Sequence, residues 1–209
     1  SSLVQTELNE LQQWLTRWKI SINTEKSIHV TFTLRRDDCP HLYINSSQIP
    51  KKNSVKYLGM HLDKRLTWKD HIKAKREHLN IKTTKMYWLL GSKSELSLEN
   101  KVKLYKTILK PVWTYGIQLW GTSSNSNVEI LQRYQSKTLR LITNAPWFIT
   151  NKQIHQDLKI PFIRDEINKF SSRYVDRLSS HCNILAISLL DETEEVRRLK
   201  RYHVLDLSY

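Results

Sequence analysis

Apolar residues recur at spacings of three and four from the start of the chain: Val4, Leu8, Leu11, Leu15 and Trp18 predict an amphipathic helix over residues 3–18. Its apolar face calls for a sheet to cover. Ile20 and Ile22 lead into a polar turn at residues 23–27, after which Ile28, Val30, Phe32 and Leu34 alternate strictly and predict a strand. Residues 35–40 read as a charged loop, His41 to Asn45 as a short strand, Ser46-Ser47 as a turn, and residues 54–62 as the close of a small β unit. Val55 and Tyr57 carry the alternation of a buried strand there, and Gly59 permits close approach of another backbone.

The period then changes from two to three and a half. Trp68, Ile72, Leu79, Met86 and Leu89/Leu90 fall on one helical stripe, while Lys69, Lys73, Lys75, Arg76, Lys82 and Lys85 occupy the other faces. Gly91 is placed as a C-terminal cap. Leu96 to Leu109 predicts another helix, interrupted or restarted at Pro111, and Trp113 to Trp120 an all-round apolar and therefore buried segment. After a polar loop at residues 121–127 come helices over 128–142, 150–158 and 163–178, punctuated by Asn144-Ala145-Pro146 and Pro161. Residues 184–190 are apolar and short, and 194–209 read as a loose charged tail.

Charge narrows the class of function. The chain has 209 residues and a net charge of +14, and residues 64–110 alone hold 13 basic against 4 acidic side chains. A polyanion backbone is the partner expected of such a concentration. An anionic membrane surface competes, but no apolar run reaches the roughly 20 residues of a spanning helix. Seven Trp and nine Tyr exclude a disordered basic tail. Cys39 and Cys182 are expected as free thiols in a reducing compartment, and Cys39 with His41 lacks the second pair of a zinc site. The chain opens without Met inside a predicted helix, as expected of a piece of something longer. No P-loop, dinucleotide fingerprint or nucleophile–base arrangement is present, and four glycines leave little scope for one.

Several strings together carry a family resemblance: ISINTEKSIHVTF, SVKYLGMHLD, RLTWKDHI, KTILKPVWTYGIQLWGTSSNSN and LQRYQSKTLRLITNAPWFI, in that order. They resemble the downstream part of jockey-type non-LTR retrotransposon reverse transcriptases, over most of residues 3–205. The resemblance implies an α+β fold: a partial reverse-transcriptase palm, with a helix on short antiparallel strands, followed by an all-helical thumb bundle. It divides the chain into a distal palm remnant with a primer-grip hairpin over residues 1–66, a helical thumb over 67–145, and a C-terminal helical extension with a loose tail over 146–209.

The same resemblance assigns residues. Asn23 and Lys26 match a palm turn near the incoming nucleotide, so Lys26 is either an auxiliary cation for the triphosphate or an ordinary solvent-facing lysine. Tyr57, Gly59 and His61 match the primer grip, with Tyr57 read as a core aromatic ahead of a base-stacking one. Arg65, Trp68, His71, Lys75 and Arg76 match the helix that tracks template and primer backbones. Trp113, Tyr115, Gly116 and Trp120 match as thumb core.

In that family two divalent metals, Mg2+, sit on aspartates of the palm upstream of the matched region. Asp37-Asp38 is the doublet here that most resembles them, and it follows the wrong strand. The expected function is thus the primer-grip and thumb part of an RNA-directed DNA polymerase. It would bind an RNA template and DNA primer as an RNA–DNA hybrid beside upstream palm and fingers, with no catalytic residue or metal of its own. A non-catalytic nucleic-acid-binding module derived from a retroelement is the alternative, and a protein-interaction domain with solubilising charge a third. Placement in the nucleus follows from the family's habit of priming on chromosomal DNA.

Overall fold

The first periodic stretch forms helix α1, Ser2–Arg17, in a computed structural model that describes residues 2–35, 39–190, 199 and 202–207. The chain divides into two compact units, residues 1–66 and 67–209. In the first, strands β1 (Tyr43–Ile44) and β2 (Ser47–Gln48) form an antiparallel hairpin, with Tyr43 opposite Gln48 and Ile44 opposite Ser47. Asn45 and Ser46 both have positive φ, 50° and 60°, as a two-residue turn matched to strand twist requires.

Helix α1 meets this hairpin through polar side chains as well as apolar ones. Gln5 donates to the Tyr43 carbonyl and accepts from the Tyr43 N–H, each at 2.9 Å, and Gln12 accepts from Asn45 N–H at 2.9 Å. Two helical glutamines thus satisfy an edge that another strand would otherwise pair. The core beneath is small: Leu42, Ile44 and Ile49, with Leu8 and Ile22 packed against them. Much of the apolar face of α1 stays in water, including Val4, Leu11, Trp14 and Trp18.

The predicted strand over Ile28 to Leu34 is corrected. It joins the unit by a single parallel bridge, His29 to Lys51, in which His29 N–H donates to Pro50 O and Lys52 N–H to His29 O. Further along, Thr33 N–H donates to Lys64 O at 3.1 Å. Alternation fixes which side chains share a face, but a ladder also needs a neighbour of matching length. Ile28, Phe32 and Leu34 accordingly remain exposed. The Asp37-Asp38 doublet lies outside the described residues. The second hairpin, β3 (Ser54–Tyr57) and β4 (Met60–Asp63), runs in register from Ser54 opposite Asp63 to Tyr57 opposite Met60. Its turn is Leu58 (φ 45°) and Gly59 (φ 77°), so the glycine is needed for left-handed backbone.

The second unit is helical. Helix α2 (Lys69–Lys85) is followed by α3 (Tyr87–Leu90) and α4 (Leu98–Leu104), whose N-cap Ser97 accepts from Asn100 N–H. Gly91 closes α3 in an extended conformation, not a left-handed one; a Cβ there would lie 2.9 Å from Tyr87 O. From α4 the helix continues through a π-turn, Tyr105–Leu109, into α5 (Lys110–Thr114). Pro111 therefore does not break it: the wider turn absorbs the missing N–H and the ring. Helix α6 (Ile117–Trp120) follows Gly116, at φ 68°. Trp113, Trp120, Tyr105 and Ile117 are fully buried, and Trp120 Nε1 donates to Trp113 O at 3.0 Å.

Helix α7 (Asn125–Thr143) runs past these rings, buries Leu131, Tyr134, Leu139 and Ile142, and ends where Asn144 turns left-handed at φ 51°. Helix α8 (Asn151–Asp157) starts on the Thr150 hydroxyl, which accepts from Gln153 N–H at 3.1 Å. Helix α9 (Ile163–Ser179) begins where Asp165 reaches back to Phe162 N–H. Gln132 and Gln135 of α7 bond Ile163 N–H and Pro161 O, fixing that joint. His155 is buried there, stacked on Phe162 with 4.1 Å between centroids and bonded to Ile160 O at 2.8 Å. Burial holds its pKa below the ordinary imidazole value. Helix α10 (Ile184–Ile187) is exposed. The expectation of a loose tail is corrected at Val204–Leu207, a 3-10 turn that packs on α9 and buries Val204.

Candidate nucleic-acid interface

Helix α2 buries only His71, Ile72 and Leu79 of its 17 residues. Its remaining faces carry five lysines and Arg76 against two acids, Asp70 and Glu77. Two apolar anchors at about 1.5–3 kcal/mol each suffice to seat such a helix. Asp70 in its first turn and Lys82 and Lys85 in its last also suit the helix dipole. Most of the helix is thus left as a cationic rail. Its field shows in His78, whose pKa is lowered by burial and by the charges of Lys82 and Lys75.

Lys75 and Arg76 are held over aromatic rings and do not wave free in solvent. The Lys75 ammonium lies 5.0 Å from the centroid of Tyr115 and the Arg76 guanidinium 4.8 Å from that of Tyr134. Tyr134 is fixed in turn by a 2.6 Å hydrogen bond with the Thr83 hydroxyl. Burial lowers the Arg76 pKa, the nearby Tyr134 opposes that, and the charge of Arg133 adds to it. Arg76 Nη1 is enclosed with no protein acceptor. An arginine so placed keeps its charge and gains from an incoming anion.

Beside Arg76 a groove of about 620 Å³ opens between α2 and α7, lined also by Tyr87, Lys137, Arg140 and Asn144 and by no aspartate or glutamate. Sequence reasoning missed this groove. Its walls come from helices separated by about forty residues of chain, and the string that contains Lys137 and Arg140 gave no sign of facing α2. Nor did the sequence single out Trp147, which is 90% exposed.

The other expected residues divide between the two units. In the first, Tyr57 is 63% exposed, which corrects its reading as a core aromatic. Gly59 forms the hairpin turn, His61 is half-buried opposite Lys56, and Arg65 is exposed with its N–H on the Asp63 carboxylate. Lys26 is exposed on a turn that Asn23 Oδ1 closes by accepting from Lys26 N–H at 2.9 Å. In the second, Trp68 and His71 are corrected from contact residues to core: they are 6% and 0% exposed, and Trp68 Nε1 donates to Thr122 Oγ1. Their rings meet edge to face.

Two of the lysines in the basic stretch also serve the fold. Lys101 is buried and donates to Gly91 O at 2.8 Å, and Lys110 pairs with buried Glu166 at 2.5 Å. Among the described residues no cluster of three His, Cys, Asp or Glu side chains could hold a metal ion. Cys39 and Cys182 are free thiols. No helix among the described residues is long and apolar enough to cross a membrane.

Comparison with known proteins bears on what this rail serves. No protein-family model matches the chain, and no solved structure matches it. Among curated proteins it is 48% identical over 195 residues to the "Probable RNA-directed DNA polymerase from transposon X-element" of Drosophila melanogaster, covering 93% of this chain and 21% of that protein. It is 39% identical to the RNA-directed DNA polymerase from mobile element jockey of Drosophila funebris, over 98% of this chain and 23% of the relative. The Drosophila melanogaster jockey polymerase is 37% identical over 99% of this chain and 24% of its own length. The chain spans less than a quarter of the length of these relatives. Over nearly all of its own length, the chain is similar to one part of the RNA-directed DNA polymerases of jockey-type non-LTR retrotransposons.

Proposed function

We propose that this chain is the template–primer-holding part of a retrotransposon reverse transcriptase, binding an RNA–DNA hybrid while residues elsewhere in the polypeptide join nucleotides. The observation that carries the reading is the excess of cations along α2, with Lys75 and Arg76 set over tyrosine rings. Cations along a helix contact phosphates without reading sequence, which suits a polymerase that must advance over any template. On this reading the hairpin over residues 54–63 is the primer grip, the fold of the first unit is the distal palm, and the helical unit begins the thumb. Tyr57 at the hairpin tip is exposed, as a primer contact must be. Lys26 takes the auxiliary place near the nucleotide. RNA-templated DNA synthesis with Mg2+, upstream palm and fingers, and a nuclear setting belong to the whole polymerase in the same proposal.

The test is a titration of the chain with a labelled RNA–DNA hybrid bearing a recessed 3′ end, across a series of salt concentrations. Binding should weaken with salt, and the Lys75→Gln/Arg76→Gln variant should flatten the log–log slope by about 1.5, two phosphates at roughly 0.7–0.9 each. A wild-type chain that ignores the hybrid at low salt, or a variant with an unchanged slope, overturns the reading.

A further inference from the structure

The loop between α7 and α8 holds two aromatic side chains out of the core. Trp147 and Phe148 are 90% and 65% exposed and meet edge to face, with centroids 6.0 Å apart. Leaving two such rings in water forgoes about 1.5–3 kcal/mol of burial apiece. A slack loop would fold them back. This one is braced: the Arg140 guanidinium donates to Pro146 O at 2.8 Å, Ile149 O at 2.6 Å and Asn151 Oδ1 at 3.0 Å. The two carbonyls belong to the residues immediately before and after the aromatic pair. Left-handed Asn144 on one side and the Thr150 cap of α8 on the other fix the ends of the loop.

The pair also stands beside the groove described above, because Asn144, Ala145 and Arg140 line that groove. Three cations, Arg76, Lys137 and Arg140, line it with no acid, and between them lie both polar groups, Asn80 and Thr84, and apolar surface, Leu141 and Ala145. An apolar helix of a protein partner would strand the cations and the Asn80 amide. A polyanion with bare π-faces would satisfy both parts, phosphates on the cations and bases on the rings. Tyr87 and Trp88, 57% and 73% exposed on α3, add aromatic surface in the same unit, Tyr87 at the groove itself.

We propose that Trp147 and Phe148 form a stacking platform for unpaired bases of a single-stranded nucleic acid whose backbone follows the α2–α7 groove. Duplex cannot use such a platform, since its bases are already stacked. The site therefore distinguishes the unpaired template from the hybrid, and in assigning the strand to the template it rests on the template–primer reading.

The experiment measures binding of the full chain to three labelled probes by fluorescence anisotropy: oligouridine, a blunt RNA–DNA hybrid, and the same hybrid with an unpaired RNA extension. The variants are Trp147→Ala/Phe148→Ala and the conservative Trp147→Phe, with circular dichroism as the check on folding. The wild-type chain should prefer the extended hybrid to the blunt one. The double alanine variant should lose at least about fivefold on oligouridine and on the extended hybrid, the low end for one stacked base, with the blunt hybrid unchanged. Trp147→Phe should keep most of the affinity. The platform is overturned if the alanine variant binds the single strand as well as wild type does, if it loses the blunt hybrid equally, or if folded wild-type chain ignores oligouridine. Oligouridine binding that needs Trp147 without binding of the blunt hybrid would sink the template–primer reading and leave the platform standing. Binding of the extended hybrid that needs Lys75 and Arg76 but not the aromatic pair would do the reverse.

Discussion

Lys110 belongs to the same basic stretch as Lys75, yet the structure gives it an internal task, and removing it should show the difference. Its ammonium lies 2.5 Å from Glu166 Oε1, with the glutamate 3% and the lysine 24% exposed, joining α5 to α9. Lys110→Met keeps the aliphatic stem and leaves the carboxylate buried without its cation. Breaking a buried pair on one side costs about 3–5 kcal/mol, and since water reaches part of the lysine the lower end, about 3 kcal/mol, applies. At about 2–4 °C per kcal/mol that is a fall in Tm of roughly 6–12 °C. Lys110→Met/Glu166→Leu, which buries no lone charge, should recover most of the loss. Scanning calorimetry measures wild type and both variants. A Lys110→Met chain within a degree of wild type, or a double variant no better than the single one, refutes the reasoning.

Three further outcomes are expected. Gly121→Ala places a Cβ 2.5 Å from Ile117 O and 2.8 Å from the Ile167 side chain, so α6 and α9 must part; a loss of about 1–3 kcal/mol in urea unfolding is expected, and an unchanged midpoint would count against the close approach. Arg140→Gln removes a charge-assisted brace from the loop after α7 and should cost about 1–3 kcal/mol while speeding proteolysis at residues 145–149; equal cleavage rates would show the loop is held otherwise. His155 has a folded pKa below its unfolded value, so its contribution is complete above about pH 6.5 and is lost as pH falls toward the folded value. The Tm of wild type should therefore drop faster than that of His155→Asn below pH 6.5, and parallel curves would exclude the histidine.

What the sequence determined was local and periodic. The three-and-four spacing of Val4 to Trp18 set α1, and the stripe from Ile72 to Leu90 set α2 and α3, because a helix supplies its own hydrogen bonds and needs only one apolar face. Thr150 and Asn144 marked helix ends by chemistry that acts over three residues. The concentration of charge raised a polyanion as the expected partner, and the quoted strings carried the likeness to the jockey-type polymerases. What needed the fold was everything that depends on a distant neighbour. Ile28 to Leu34 alternates like a strand but acquires one bridge, since a strand is made by its partner. Tyr57 and Trp68 look alike as aromatics in a β-to-helix joint, yet one is exposed at a hairpin tip and the other buried against Thr122. Lys75 and Lys110 are both lysines of one basic run; packing alone turned one over Tyr115 and the other into a buried ion pair. The groove that brings Arg76 to Lys137 exists only because α2 lies along α7, a contact between residues some sixty positions apart that no local pattern encodes.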